Sequence, residues 1–404
     1  MKKINYIISF VLIYFSILSC TEPYALQTET FEDILVVEAS ITNELKTQEI
    51  KLTRTYQLEQ FNPLIETKAK IYVKDNLGNQ YNFEEINGKY LSTVPFQAVL
   101  NSSYTLHIDT ADGGIYVSNN QKLTTATSIE NINANIATKN GENGVQISIN
   151  SKDLTNTSKY YRYTYEETAK VTVPKWNAFD AVLSPNGPFI QGIYKNITTV
   201  LRIGESKTCY TTKNSSDLIL TNTLNNIEDK VTNFPVRFIS DQDYTIAERY
   251  SIKIMQYVQN QESFKFYNTL LKLSSSGSLL SQFQPGLLVG NIKSQLNPNE
   301  KVIGFFEVSS VSEKRLFFNF SDIFGNQPKP SYFNECTLQE YESDDFKSFQ
   351  LDGDPAEGIQ LRSIIASRQQ LYYNNDANIF YMVNPVCGDC RTFSSNIKPT
   401  FWID

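Results

Sequence analysis

Two spacings of apolar residues run along this chain. From about residue 32 to residue 120 they alternate with polar ones in short runs broken by Asn, Asp and Gly. In the stretch AKIYVKDNLGNQYNFEEI, Ala69, Ile71 and Val73 fall on one side of an extended backbone and Lys70, Tyr72 and Lys74 on the other, because successive strand side chains point to opposite faces. The stretches about Asn76 to Gly78, Asn87-Gly88 and Asp112 to Gly114 read as hairpin turns, since Asn, Asp and Gly accept the positive φ that tight turns demand. With DILVVEASIT and EIKLTRTY as further strands, the spacing predicts an immunoglobulin-like β-sandwich over residues 32–122.

Alternation then resumes. GVQISINS sets Val145, Ile147 and Ile149 on one face, and KYYRYTYEETAKVTV aligns Tyr161, Tyr163 and Tyr165. That tyrosine stripe is a candidate contact surface for a ligand; the competing reading is a half-buried strand whose hydroxyls reach solvent. The period lengthens after a strand around Tyr250 to Val258, where Phe264, Tyr267, Leu270 and Leu271 stand at helical spacing. A helix over 261–274, ended by Ser274 to Gly277, is expected to pack across a sheet; a partner-binding helix is the alternative. KVIGFFEVSSVSEKRLFFNF returns to β alternation. The fold class is therefore mainly β: the N-terminal sandwich, then a larger β-rich domain over 123–404 with a helical insertion and a cysteine-containing end. The short connection from Asn120 to Ser128 permits either a rigid or a hinged junction.

The first residues follow another pattern. MKKINYIISFVLIYFSILSC places Lys2 and Lys3 before an apolar run from Ile7 to Leu18, which is short of the roughly 20 residues needed to cross a bilayer. Ser19 leads directly into Cys20, as in a bacterial lipobox. Residues 1–19 are expected to be an export signal, Cys20 a lipidated N-terminus, and 20–31 a linker, so the mature protein is tethered to a membrane and folded in water.

Export changes the meaning of the cysteines. Cys209, Cys336, Cys387 and Cys390 become disulfide candidates. Their three pairings are open; the simplest joins Cys387 to Cys390 and Cys209 to Cys336. Thioredoxin-like chemistry needs a CxxC opening a helix inside a βαβ unit, whereas this one enters a polar, proline-containing tail. Zinc would need more ligands close by. A structural staple remains, one that lets IKPTFWID lay Phe401 and Trp402 on the second domain.

The formal net charge of −7 argues against a nucleic-acid partner, whose phosphates call for a basic surface. Tyr and Phe number 24 and 25, which suits pleated surfaces. The single histidine, His107, alternates with Leu106 and Ile108 and belongs on the polar side of its strand. No GxSxG, HExxH or Gly-rich phosphate loop occurs, so no catalytic residue, cofactor or metal site is assigned. Glu340, Glu342, Asp344, Asp345, Asp352, Asp354 and Glu357 read as a solvated acidic loop without the ligand order of an EF-hand.

The lipobox, ILVVEASIT, GKYLS, KYYRYTYEET, CYTTKNSSDLIL, ERYSIKIMQYVQNQESFKFYNTLLKLSSS, GNIKSQLNPNEKVIGFFEVSS and CGDCRTFSSNIKPTFW together resemble, in sequence and order, the DUF4249 family of Bacteroidota lipoproteins. The resemblance implies an outer-membrane lipoprotein, often encoded beside a TonB-dependent receptor, with an accessory role in the uptake of a nutrient such as a peptide or glycan. Lipoproteins exported to the surface often carry an acidic cluster after the lipidated cysteine; here only Glu22 follows, which leaves the leaflet open. The alternative is a carboxylate-dependent, glycosidase-like hydrolase acting between the domains, because paired acids leave no short signature.

Overall fold

The computed structural model describes residues 33–56, 63–184, 189–190, 193–194, 197–275, 288, 290–342, 357–376 and 379–404. Cys20 and the leader lie outside them, as does the acidic stretch between Glu342 and Glu357. The principal elements are β1 (Leu35–Thr42), β2 (Glu49–Arg54), β3 (Lys70–Asp75), β4 (Gln80–Ile86), β5 (Lys89–Ser92), β6 (Ser103–Asp109) and β7 (Ile115–Ser118). There follow β8 (Ile129–Lys139), β9 (Glu142–Lys152), β10 (Tyr160–Thr172), β11 (Thr208–Asn214), β12 (Lys230–Ser240) and β13 (Arg249–Gln259). Helix α1 (Gln261–Ser275) precedes β14 (Ile292–Ser294) and β15 (Val302–Asn319), and the chain closes with β16 (Gln339–Glu342), α2 (Glu357–Ser367), β17 (Leu371–Asp376) and β18 (Ile379–Val383). The mainly β class holds.

The hairpins form where the turn residues put them. Asn87 (φ 52°) and Gly88 (φ 75°) join β4 to β5, and Gly78 and Gly113 take positive φ in the other two turns. Ile71 and Val73 are buried while Lys70 and Lys74 face water.

A single sheet runs in the order β11-β10-β13-β15-β1-β2-β5-β4-β3-β6-β7-β14. Its N-terminal part curls over a core of Leu35, Val37, Ile50, Leu52, Leu106, Phe306 and their neighbours. This module is not completed by residues 32–122 alone, because Ile292, Val302, Phe306 and Val308 supply part of the core. The far edge returns to β15 through Asn291, whose side-chain amide donates to the Phe306 carbonyl (2.9 Å) and accepts from its N–H (2.8 Å), as a neighbouring strand would. Glycines allow that closeness: a Cβ on Gly290 would stand 1.6 Å from the Gly304 carbonyl oxygen.

The second module packs β8, β9 and β12 against β10, β13 and the end of β15. Val145, Ile147 and Ile149 all lie in its core. Strand β15 belongs to both modules. Residues 302–309 pair parallel with β1, and 310–319 pair antiparallel with β13. An 18-residue strand is about 60 Å long, so a continuous hydrogen-bonded rod crosses the junction where the sequence left a hinge open.

The four cysteines pair as Cys209 with Cys390 and Cys336 with Cys387, which corrects the expected local Cys387–Cys390 link and its companion Cys209–Cys336. Both Cα separations are 5.7 Å, inside the range a disulfide requires. The reason is local: Cys387 sits in the helical turn Pro385–Gly388 and Cys390 in the following turn Cys390–Thr392. Cys390 packs with Cys209 and Val173, whereas Cys387 packs with Leu371 and Val383 on the small sheet. Two turns of one short segment thereby fasten to two different places. Beyond them Trp402 is buried against Tyr210 and Phe317, and the Arg315 guanidinium lies 3.6 Å from the Phe401 ring centre.

Candidate functional site

Strand β10 reads YYRYTYEETAKVT, and both of its faces are covered. Tyr161, Tyr163 and Tyr165 point into the core of the second module, at 0%, 0% and 6% exposure. The Tyr161 hydroxyl donates to Asp229 (2.8 Å) and that of Tyr163 to Gln256 (3.2 Å), so buried partners take the hydrogen bonds that a ligand or water would have. These tyrosines are therefore core residues and not a contact surface. Burial, reinforced at Tyr161 by Asp229, drives both phenol pKa values well above the usual range.

The opposite face carries Tyr160, Arg162 and Thr164, and α1 lies across it. Phe264 rests on Tyr160 (4.9 Å between rings), and Phe266 on Phe305 of β15 (5.6 Å). The helix thus touches both modules. Gln261–Ser275 becomes helical because its apolar positions recur every three or four residues, and its start is capped where Asn260 Oδ1 accepts from the Ser263 N–H (2.8 Å).

Beneath α1 sits an ion pair. Arg162 donates to Glu307 Oε2 at 2.9 Å, with side-chain exposures of 12% and 1%. Gln259 donates to the other Glu307 oxygen at 3.0 Å and also to Ser263 on the helix. The guanidinium is sandwiched near the rings of Tyr257 (4.2 Å) and Tyr267 (5.0 Å). Burial works against its charge, but Glu307 and the two phenols outweigh that and hold the Arg162 pKa above its ordinary value.

One flank of α1 opens into a groove of about 890 Å³. Its helix wall is Phe266, Tyr267, Leu270 and Leu271; its floor is Arg162 with Ile303 and Phe305 of β15 and Glu38 and Ser40 of β1. Strand alternation explains the floor: Leu35, Val37 and Ala39 face the N-terminal core, so Val36, Glu38 and Ser40 must face the helix. At the rim Lys51 lies 3.8 Å from Glu38 and 3.7 Å from Glu49. Arg162 Nε and Ser40 Oγ are buried with no hydrogen-bond partner among the described residues. A smaller depression of about 560 Å³ borders the other flank and shares Phe266 and Phe305. Among the described residues no group of three or more His, Cys, Asp and Glu side chains gathers as a metal site needs, and no helix is long and apolar enough to cross a membrane.

The groove went unseen in the sequence because the tyrosines drew attention to the wrong face. Its signal was present: one arginine among tyrosines and one glutamate inside IGFFEVSS are charges in apolar strands, and such charges fold only when paired.

His107 lies where alternation put it, half-exposed on β6 and stacked on Tyr72 at 4.7 Å. Partial burial, with Lys74 beside it, lowers its pKa below 6.5, against a weaker opposing pull from Asp109. The unfolded chain therefore binds this proton more readily, so His107's contribution to stability is lost as pH falls below the unfolded value. In a proton NMR titration of the untagged protein, the one imidazole signal should move at a pH below 6.5; a midpoint above that value would contradict this environment.

The N-terminal module, the whole groove and the second module up to residue 315 of β15 fall within residues 21–315, which match the model of a family described as a domain of unknown function, DUF4249. The small sheet β16–β18 and three of the four disulfide cysteines lie beyond the match. No curated protein matches the chain. With most of its length matched by that model, the chain belongs to the DUF4249 family.

Proposed function

We propose that this protein is a lipid-anchored, non-enzymatic binding protein of the outer membrane that serves a TonB-dependent receptor in nutrient uptake, with the groove along α1 as its ligand site. The groove carries the reading. Its volume falls in the usual range for ligand pockets, its helix wall is apolar, and the Arg162 charge on its floor is already paired with Glu307. Leu270, Leu271 and Ile303 offer aliphatic contacts to a peptide side chain, and Phe266, Tyr267 and Phe305 of the same lining offer rings to a peptide or a glycan. Cys20, directly after an export signal of signal-peptide length, supports the anchor.

The test is affinity purification of C-terminally tagged protein from gently solubilised outer membranes, followed by mass spectrometry. Wild type should bring down a TonB-dependent receptor in stoichiometric amount, and Cys20→Ala should leave the membrane fraction. Leu270→Arg, on the groove wall, should keep the receptor and lose bound peptide. Recovery of the lipoprotein alone would remove the receptor from the reading, and release of reducing sugar from a glycan panel would replace it with the hydrolase.

A further inference from the structure

The three-stranded sheet β8-β9-β12 has two edges, and they are finished differently. Strand β12 is blunted: Asn233 takes a φ of 46°, Pro235 has no N–H to offer, and the register against β9 shifts twice. Strand β8 carries none of these devices beyond its first residues. From Asn131 to Lys139 it pairs with β9 without a shift, and the run NINANIAT holds no proline and no charge.

The turn decides which backbone groups of β8 are free. Asn140 (φ 53°) and Gly141 (φ 83°) make a two-residue hairpin, so Lys139 and Glu142 exchange both ladder hydrogen bonds, and so does every second pair behind them: Ala137 with Gly144, Asn135 with Gln146, Asn133 with Ser148. In keeping with that phase, the Asn143 carbonyl turns the other way and accepts from the Asp241 N–H (3.0 Å). Ile132, Ala134, Ile136 and Thr138 therefore point N–H and C=O away from β9, where no strand is paired to them and no partner meets them among the described residues. Ile136 shares the core face with Ile132 and Ala134, yet it is 57% exposed, because the core of the second module reaches only to Ala134 along this strand.

We infer that this edge pairs with the same edge of a second copy of the chain, antiparallel, about a two-fold axis at Ala134. The strand is complementary to itself. That register sets Ile136 beside Ile132 of the second copy on the core face and Asn133 beside its Asn135 on the solvent face, and its closely bonded pairs use the groups that β9 leaves free. The strand's two charges stand at its ends, Glu130 and Lys139; antiparallel copies bring opposite charges to each end, where parallel copies would bring like charges together. A foreign strand would satisfy the backbone, but a second copy also supplies the isoleucine, the amides and the charges. The contact uses no residue of the α1 groove and stands apart from the ligand reading.

The experiment is analytical ultracentrifugation of the mature chain from residue 21, disulfides intact, over a concentration series, with amide hydrogen exchange at both ends of the series. A single edge pairing is smaller than a standard interface, so wild type should pass reversibly from monomer to dimer as concentration rises. Exchange should slow in the peptide covering 131–138. Ala134→Pro removes an N–H that β9 does not use, at an edge position where proline is tolerated, and Ile136→Lys puts a charge into the paired run. Each should weaken dimerisation about tenfold or more, the first through lost hydrogen bonds and the second through the lost Ile132 contact, with a melting curve like that of wild type. If Ala134→Pro melts early, Ile136→Lys decides alone. Wild type that stays monomeric throughout, a dimer that leaves exchange at 131–138 unchanged, or a dimer kept at full strength by Ile136→Lys overturns the inference.

Discussion

Glu307→Ala should destabilise the protein by about 3–5 kcal/mol, the usual cost of removing one partner from a buried ion pair. Glu307 is 1% exposed and both its oxygens are used, one by Arg162 and one by Gln259. Its removal leaves the Arg162 guanidinium charged between Tyr257 and Tyr267 with no counter-ion, in a place water barely reaches. The damage falls at a junction, because residue 307 is on the stretch of β15 paired with β1, three residues before that strand takes up β13. Gln259 would also lose the acceptor that ties it to Glu307, loosening the base of α1.

Arg162→Met combined with Glu307→Leu should recover most of the loss, since a well-packed apolar pair is often neutral or better than the ion pair it replaces. The measurement is a double-mutant cycle by chemical denaturation with the disulfides intact. A Glu307→Ala loss below about 1 kcal/mol, the range of an exposed pair, would show that water screens this site. The double variant also bears on function: if the pair only supports the fold, groove ligands should bind it as they bind wild type, and if Arg162 meets ligand they should not.

Alternation told which residues share a face, and it did so well. Ile71 and Val73, and then Val145, Ile147 and Ile149, are buried together, and the helix reaches from Gln261 to Ser275 where the spacing predicted 261–274. A period of two cannot say which strands are neighbours. Val302 lies parallel to Leu35, and that pairing completes the N-terminal module with residues far along the chain. Nor does alternation say which face of a doubly covered strand meets which neighbour, and so Tyr161, Tyr163 and Tyr165 were candidates for contact while Arg162 beside them was passed over. The cysteine pairing failed for a related reason. Separation along the chain ranks loops by closure entropy and is silent on the direction in which two successive helical turns aim their side chains.

That geometry makes the cross-links long ones, and their loss is the other large effect expected. Peptide mapping of the oxidised protein should find Cys209 joined to Cys390 and Cys336 to Cys387; a peptide closed between Cys387 and Cys390 would refute the arrangement. The two links span 181 and 51 residues, for which loop-closure entropy alone gives about 5 and about 4 kcal/mol. Cys209→Ser with Cys390→Ser should therefore lower stability by several kcal/mol, and the consequence is spatial as well as energetic. Residues after Cys390 would keep Trp402 against Tyr210 and Phe317, and the Ser395 carbonyl to Tyr210 N–H bond of 2.8 Å, but no covalent hold on β11. Arg391, which precedes Thr392, should then become an early site for trypsin in the double variant and resist it in wild type. Cys336→Ser with Cys387→Ser should instead loosen the small sheet, because Cys387 packs with Leu371 and Val383 there, and leave the terminal segment fastened through Cys390. If both double variants released the terminus equally, the two bonds would act as one clamp, and the division of labour between adjacent turns would be wrong.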